Sequence, residues 1–380
     1  MTDHVAFYAP LKPPSHPTPS GDRRFARLLL QALRRAGFDA RTASTLRSRN
    51  PDGDTEFQRR LEKRADTIVD RLLQRYRDDR PAVWLTYHVY YKAPDLLGPP
   101  VARALNIPYV IAEASRAARR ADGPWQRGHA LTDEALRQAD LILQPNPKDL
   151  PEVTAFLGPG APVVRLPPFL DAGRETRERR HRGRYRSEFA AHFGLNPDRP
   201  WLISTGMMRP GAKRESYRVL ARAIGTLDRQ DVHWLMVGDG PERPEIERDF
   251  SGDSRVRFTG ALPARALSQL NAAADLFVWP AIDEAFGMAP LEAQAAGLPV
   301  VLGDRPGTRA MVRPDETGLL TPEGDPDALR LAVRSLLDAP ERLAAMSDAA
   351  HRHVMENHDI AGAAERLRTC LQPLIDGRNR

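Results

Sequence analysis

Residues 273–304, AADLFVWPAIDEAFGMAPLEAQAAGLPVVLGD, constrain the fold more than any other stretch of the chain. Leu276–Trp279 is a short apolar β-like run, an apolar helix-like run follows, and Gly297 with Pro299 closes that helix before LPVVLGD opens a buried strand. The order strand, loop, helix, strand puts Glu284 in the loop outside a strand's carboxyl end. Glu292 then lies about one and a half turns into the helix, counted from its start at Phe286-Gly287-Met288. The backbone N–H groups of Gly287, Met288 and Ala289 are free at a positive helix end, where an anion can sit. Two carboxylates beside such an end suit a ligand rich in phosphate and hydroxyl, as a nucleotide sugar is.

The same alternation runs through the chain. HVAFYA (4–9) reads as a first strand, followed by a proline-rich loop and the amphipathic helix FARLLLQALRRAG. The helix-like FQRRLEKRADTIVDRLLQRYRDD precedes the strand AVWLTYHV, and NIPYVIAEA and ADLILQPN are two more strands. WLISTG, HWLMVGDG, VRFTG, DLFVWP and PVVLGD follow in the second half, with helical stretches between them. Strands alternating with helices predict α/β units with parallel sheets covered on both faces. At 380 residues the chain exceeds one typical core, so two domains of roughly 170–190 residues are expected. The expected division is an N-terminal domain over 1–170, a charged linker over 171–195, a second domain over 196–360 and a closing helix over 361–380.

One cysteine, Cys370, excludes an internal disulfide framework and a cysteine-held metal cluster, and fits a reducing cytoplasm. No apolar signal core opens the sequence, and no stretch reaches the ~18 apolar residues that span a bilayer, so a cytoplasmic protein is expected. The net charge is +6 and arginine carries most of it, densest in RETRERRHRGRYR (Arg174–Arg186). That run reads as a solvated linker, or as a surface for an anionic membrane or phosphorylated acceptor. Nucleic acid is not expected as a partner, because aromatic residues do not interleave the charge.

Further strand ends in the second half carry small or polar residues. Arg209 and Lys213 follow WLISTG on a glycine-containing loop and are counter-charges for a diphosphate. Gly238 and Gly240 permit a tight turn after HWLMV, and the backbone of Ala261-Leu262 is placed to meet a flat base. Glu284 and Glu292 can each accept two sugar hydroxyls, and the apolar neighbours of Glu292 leave its carboxylate in need of a partner.

The block DEAFGMAPLEAQAAGLPVV resembles the signature of the family-4 retaining glycosyltransferases of the GT-B fold, two glutamates separated by seven residues. The likeness extends to GDGPE, VRFTGAL, AADLFVWP and TGLL, and covers most of residues 200–360. It implies two Rossmann-like domains facing across a cleft, with the C-terminal helix crossing back to the first. Glu284 would sit against the donor sugar and Glu292 would hold the ribose hydroxyls. Arg209 and Lys213 would bind the diphosphate, with Phe286, Gly287, Met288 and Ala289 lining the sugar and phosphate. The likeness also implies an acceptor held by the N-terminal domain: a glycan, a lipid-linked glycan or a small molecule. There Gly21 would approach the donor phosphate, while His88 and Glu113 would position hydroxyls. Arg116, Arg119 and Arg120, which follow Glu113, read either as contacts for an anionic acceptor or as part of a solvated loop. Glu284, His88, Lys213 and Arg209 are the expected catalytic residues.

No cofactor or metal is expected. The triplet Asp52-Gly53-Asp54 has the pattern of a metal-held diphosphate, yet it lies between a breaker-rich loop and a charged helix and reads as a turn. The chain departs from the family pattern at Met207-Met208-Arg209, which alters the arginine-to-lysine spacing, and at Ser20-Gly21-Asp22, Pro168-Phe169-Leu170 and Arg309-Ala310. A nucleotide-sugar epimerase, a glycan phosphorylase and a non-catalytic sugar-nucleotide-binding protein are alternatives on the same fold.

Overall fold

The computed structural model describes residues 3–378 except Pro19 and Phe286. The chain divides into two units, Met1–Pro168 with Ile360–Arg380, and Phe169–Asp359. In the first, β1 (His4–Tyr8), β2 (Asp39–Ser44), β3 (Val83–Val89), β4 (Tyr109–Ala114), β5 (Leu141–Gln144) and β6 (Val163–Arg165) form a parallel sheet in the order β2-β1-β3-β4-β5-β6. In the second, β7 (Trp201–Thr205), β8 (His233–Val237), β9 (Val256–Gly260), β10 (Leu276–Trp279), β11 (Val300–Gly303) and β12 (Gly318–Thr321) form a parallel sheet in the order β12-β11-β10-β7-β8-β9. Each unit is the doubly wound α/β architecture expected of the sequence.

Strand order selects where ligands can sit. The direction of winding reverses between β7 and β10 in the second unit, and between β1 and β3 in the first. At such a reversal the loops leaving neighbouring strands part toward opposite faces and open a crevice beyond the carboxyl ends. Glu284 follows β10, Lys213 follows β7, and His88 lies at the end of β3. Below these loops the strands are buried on both faces, with Trp84 in one core and Trp201, Trp234 and Trp279 in the other.

The C-terminal helix Ile360–Arg378 returns to the first unit, as expected. It packs on the helix Gly21–Arg35, and Ile360, Leu367, Leu371 and Ile375 are among its buried residues. The helix Gly21–Arg35 begins four residues before the apolar run that predicts it, because the Ser20 side chain caps it by accepting from the Arg23 N–H at 3.2 Å. Three strands escape a reading by hydrophobicity: β2, DARTAS, is a polar edge strand, β6 has only three residues, and β12, GLLT, is a four-residue edge strand.

The stretch expected as a charged linker is instead two helices of the second unit, Gly173–Arg179 and Arg182–Phe193. Arg182 and Arg186 converge on Asp275 at 2.5 and 3.0 Å. They also donate to the carbonyls of Ala272 at 3.0 Å, Ala273 at 2.7 Å and Ala274, at the end of the helix Ala264–Ala273, where carbonyls lack helical partners. Arg179 pairs with Asp348, while Arg174, Arg177 and Arg180 are exposed. The triplet Asp52-Gly53-Asp54 is a turn: Asn50 Oδ1 accepts from the Gly53 and Asp54 N–H groups at 3.1 Å, and Asp54 caps the helix Thr55–Arg75. Among the described residues, no helix is long and apolar enough to cross a membrane.

Candidate functional site

The loops leaving β7, β8 and β9 are joined by backbone hydrogen bonds. The Gly206 N–H donates to Val237 O, Gly238 to Gly260 O, Met208 to Asp239 O and Glu242 to Met208 O, each at 3.0 Å. Gly238 has φ +144°, and a Cβ there would lie 1.9 Å from Gly206 O, so only glycine lets the two loops meet. Its requirement is therefore backbone packing. Arg209 stands exposed on this floor and makes no ion pair with a described residue. Ala261 is exposed and Leu262 half-buried beyond β9, the edge strand of the sheet.

The centre of the second unit's site is the turn after β10. Ala281 (φ +55°) and Asp283 (φ +46°) both hold left-handed backbone, a conformation that costs non-glycine residues about 1–3 kcal/mol each. The surroundings enforce it. The Ile282 N–H donates to Ser216 Oγ at 3.2 Å and the Asp283 N–H to Glu323 Oε1 at 2.8 Å, while Arg305 bridges Asp283 (3.0 Å) and Glu323 (2.6 Å). This strained turn delivers Glu284, whose Oε2 forms an ion pair with Lys213 Nζ and accepts from Trp279 Nε1 at 3.4 Å. Lys213 also lies 5.0 Å from the centre of the Trp279 ring. Sequence reasoning missed Trp279, although its place as the last strand residue before Pro280 marks it.

Gly287 has φ +70° and starts the helix Met288–Ala295. A Cβ on it would meet Glu284 Cγ at 3.2 Å, so glycine here both makes the turn and clears room for that carboxylate. Met288 is buried, and the half-buried Ala289 packs on the core. Glu292, on the same helix, is only 6% exposed. Phe286 lies outside the described residues.

In the first unit, His88 (φ +62°) and Glu113 (φ +65°) are the penultimate residues of the neighbouring strands β3 and β4, both in left-handed backbone. His88 Nδ1 is 3.1 Å from Asp22 Oδ1 and 3.9 Å from Glu113 Oε2. Glu113 is 5% exposed, and its Oε2 has no hydrogen-bond partner among the described residues. Asp149, held by Ser115 and Asn146 at 2.8 Å, adds a third carboxylate. Burial alone would lower the His88 pKa, but Glu113, Asp22 and Asp149 outweigh it and raise the value to about 9. Burial also raises the pKa of Glu113 and of Asp149. The site thus holds an imidazolium among carboxylates.

Gly21 is the first residue of the helix that carries Asp22. A Cβ on Gly21 would meet nothing within 4 Å, so its lack of a side chain answers no crowding inside this unit. Arg116 pairs with Asp133 at 2.8 Å and Arg119 is exposed, whereas Arg120 stacks on aromatic rings. Arg309 pairs with Asp304. Asp22 and Asp149 were not anticipated. The acidic first turn after Ser20 is a signal for Asp22 as a helix-start residue, but nothing local pairs it with His88.

Residues 199–339 match the family described as glycosyl transferases group 1. The chain is 34% identical over 233 residues to a GDP-mannose-dependent alpha-(1-6)-phosphatidylinositol monomannoside mannosyltransferase of Mycolicibacterium smegmatis, covering 58% of each. It is 28% identical over 294 residues to a D-inositol 3-phosphate glycosyltransferase of Streptomyces coelicolor, covering 71% of this chain and 63% of that one. The chain thus spans less than two thirds of the length of these two relatives. Two solved structures share its fold, both with a TM-score of 0.74: a sucrose-phosphate synthase of Thermosynechococcus elongatus, 17% identical over 99% of this chain and 100% of its own, and a glycosyltransferase of Rickettsia africae, 12% identical over 98% and 99%. The two parallel six-stranded sheets are those of the GT-B fold. The family match is thus confined to residues 199–339, which lie within the second unit.

Proposed function

We propose that this chain is a family-4, retaining hexosyltransferase that moves a sugar from a nucleotide-sugar donor to an acceptor hydroxyl without a divalent metal. The observation that carries the reading is the Lys213–Glu284 ion pair, set where the winding of the group 1 domain's sheet reverses and beside the start of the helix Met288–Ala295. The second unit takes the donor. Lys213, Arg209 and the N–H groups at Gly287, Met288 and Ala289 offset the charge that grows on the departing diphosphate, the task a divalent ion performs elsewhere. Glu292 accepts ribose hydroxyls, and Gly238, Ala261 and Leu262 border the base.

The first unit takes the acceptor, a glycan, a lipid-linked sugar or a small polyol, with His88 and Glu113 orienting its hydroxyls. The bond from the anomeric carbon to the diphosphate breaks while the bond to the acceptor oxygen forms on the same face. The acceptor proton passes to the leaving phosphate oxygen, so no protein base is required. Two relatives are named for acceptors built on inositol phosphate, which favours a polyol or its lipid-linked form. The exposed Arg174, Arg177 and Arg180 are the residues through which a cytoplasmic enzyme of this kind would touch an anionic membrane.

The test is to incubate the protein with UDP-, GDP-, ADP- and dTDP-hexoses and candidate acceptors in EDTA, and to assign the product's anomeric configuration by NMR. Transfer with retention supports the proposal. An inverted product, or transfer that EDTA abolishes, overturns it.

A further inference from the structure

Four rings of the first unit touch in succession. His88 and Tyr90 have centroids 5.1 Å apart, Tyr90 and Tyr91 5.6 Å, and Tyr91 and Trp125 5.8 Å. The strip is electrically polarised. Asp22, Glu113 and Asp149 surround His88 at one end. At the other, Lys92 Nζ lies 4.6 Å and the Arg120 guanidinium 4.9 Å from the centre of the Trp125 ring, and both also reach the Tyr91 ring. Arg49 lies near Tyr90, between the two ends, where its charge opposes the rise in the Tyr90 pKa that burial causes.

Arg49, Lys92 and Arg120 form no ion pair with a described residue, and Arg120 Nε is enclosed without a hydrogen-bond partner among them. Nearby arginines are satisfied: Arg116 by Asp133 and Arg127 by Glu62, each at 2.8 Å. Aromatic rings hold a cation in place but do not neutralise it. Two ring-held cations and the neighbouring Arg49, with no counter-ion among the described residues, are the complement of a phosphate group, which accepts from guanidinium and ammonium together.

We propose that this strip is the acceptor subsite, and that Arg49, Lys92 and Arg120 hold a phosphate on the acceptor. Its hydroxyl-bearing part lies over Tyr90 toward His88, where carboxylates accept from hydroxyls and would repel the phosphate. A cavity of about 330 Å³ beside Tyr91 and Trp125, lined also by Asn50, Thr55 and Gln58, has room for the second substituent of a phosphodiester. The inference rests on the transferase reading for the term acceptor. A free phosphomonoester and a phospholipid headgroup present the same chemistry to the three cations.

The test is calorimetric titration of the full chain with inositol monophosphate and with inositol, alongside nucleoside diphosphates as a separate probe. Inositol monophosphate should bind at least about tenfold more tightly than inositol. The Arg49→Gln variant and the Lys92→Gln/Arg120→Gln double variant should each remove most of that difference and leave nucleoside diphosphate affinity within about twofold. Arg49 is exposed, which keeps a readable variant if the double substitution unfolds the chain. Cosedimentation with phosphatidylinositol-containing vesicles, lost in the same variants, identifies a lipid source, while binding of the soluble monoester alone identifies a free one. Equal affinity for inositol and its phosphate, or a preference untouched in both variants, overturns the inference even where nucleoside diphosphates bind. Loss of nucleotide binding with phosphate binding intact would instead count against the transferase reading.

Discussion

Lys213 Nζ and Glu284 Oε2, 71 residues apart in sequence, form an ion pair against the indole of Trp279. The side chains are 17% and 18% exposed, so a ligand entering from solvent can reach both. Lys213→Ala and Glu284→Gln should each cost only about 1–2 kcal/mol of stability, since the pair is partly solvated. Turnover should fall much further, by about 10²–10³-fold, if the pair acts on developing charge. Urea unfolding and single-turnover kinetics on the same preparations separate the two effects. Equal losses in both would leave the pair with a structural role alone.

The pH dependence of stability should report His88. Its pKa rises from an ordinary 6.5 to about 9 in the folded chain, because the nearby carboxylates outweigh burial. The folded state therefore holds the proton more tightly than the unfolded state does. The stabilisation is fully present below about pH 6.5 and is lost as pH climbs through about 9. Thermal unfolding between pH 7 and 9.5 should show a decline in Tm that His88→Gln flattens. Asp22→Asn should bring the imidazole titration, followed by NMR, back toward 6.5. An unaltered titration in Asp22→Asn would contradict this assignment.

Gly238→Ala should destabilise the second unit. The added methyl would lie 1.9 Å from Gly206 O, where backbone cannot yield as a flexible side chain does. A loss of about 1–3 kcal/mol or more in urea unfolding is expected. Gly21→Ala, with nothing within 4 Å, serves as the control and should stay within about 0.5 kcal/mol.

Asp275 accepts from Arg182, from Arg186 and from the Trp201 N–H at 2.7 Å. Asp275→Ala would remove the carboxylate of two arginines, leaving them only carbonyl partners, and the acceptor of a strand N–H, and should cost about 2–4 kcal/mol. Arg174→Gln, on the exposed part of the same run, should leave the unfolding midpoint unchanged. A neutral Asp275→Ala would mean that the run is as solvated as its composition implies.

The places of Glu284, Gly287 and Glu292 on the loop and helix after β10 are legible because one local segment carries the whole strand–loop–helix grammar, and apolar neighbours make a glutamate conspicuous. The strand order was not readable, although it decides which loops share a crevice, since hydrophobic periodicity says nothing of which strands pair. Asp22 and Asp149 reach His88 only through that order. β2 was missed because DARTAS, at a sheet edge, lacks the apolar run of a central strand. The arginine run misled because its charge density suggested solvent, whereas Arg182 and Arg186 are held by a helix end and Asp275 that the chain reaches about 90 residues later.

The most direct measurement is calorimetric titration of the wild-type chain and of Lys213→Ala with UDP, GDP, ADP and dTDP in EDTA. The account predicts that one nucleoside diphosphate binds the wild type without metal, and that Lys213→Ala weakens it by about tenfold or more. Binding that requires a divalent ion, binding indifferent to Lys213, or no binding of any of the four would contradict it.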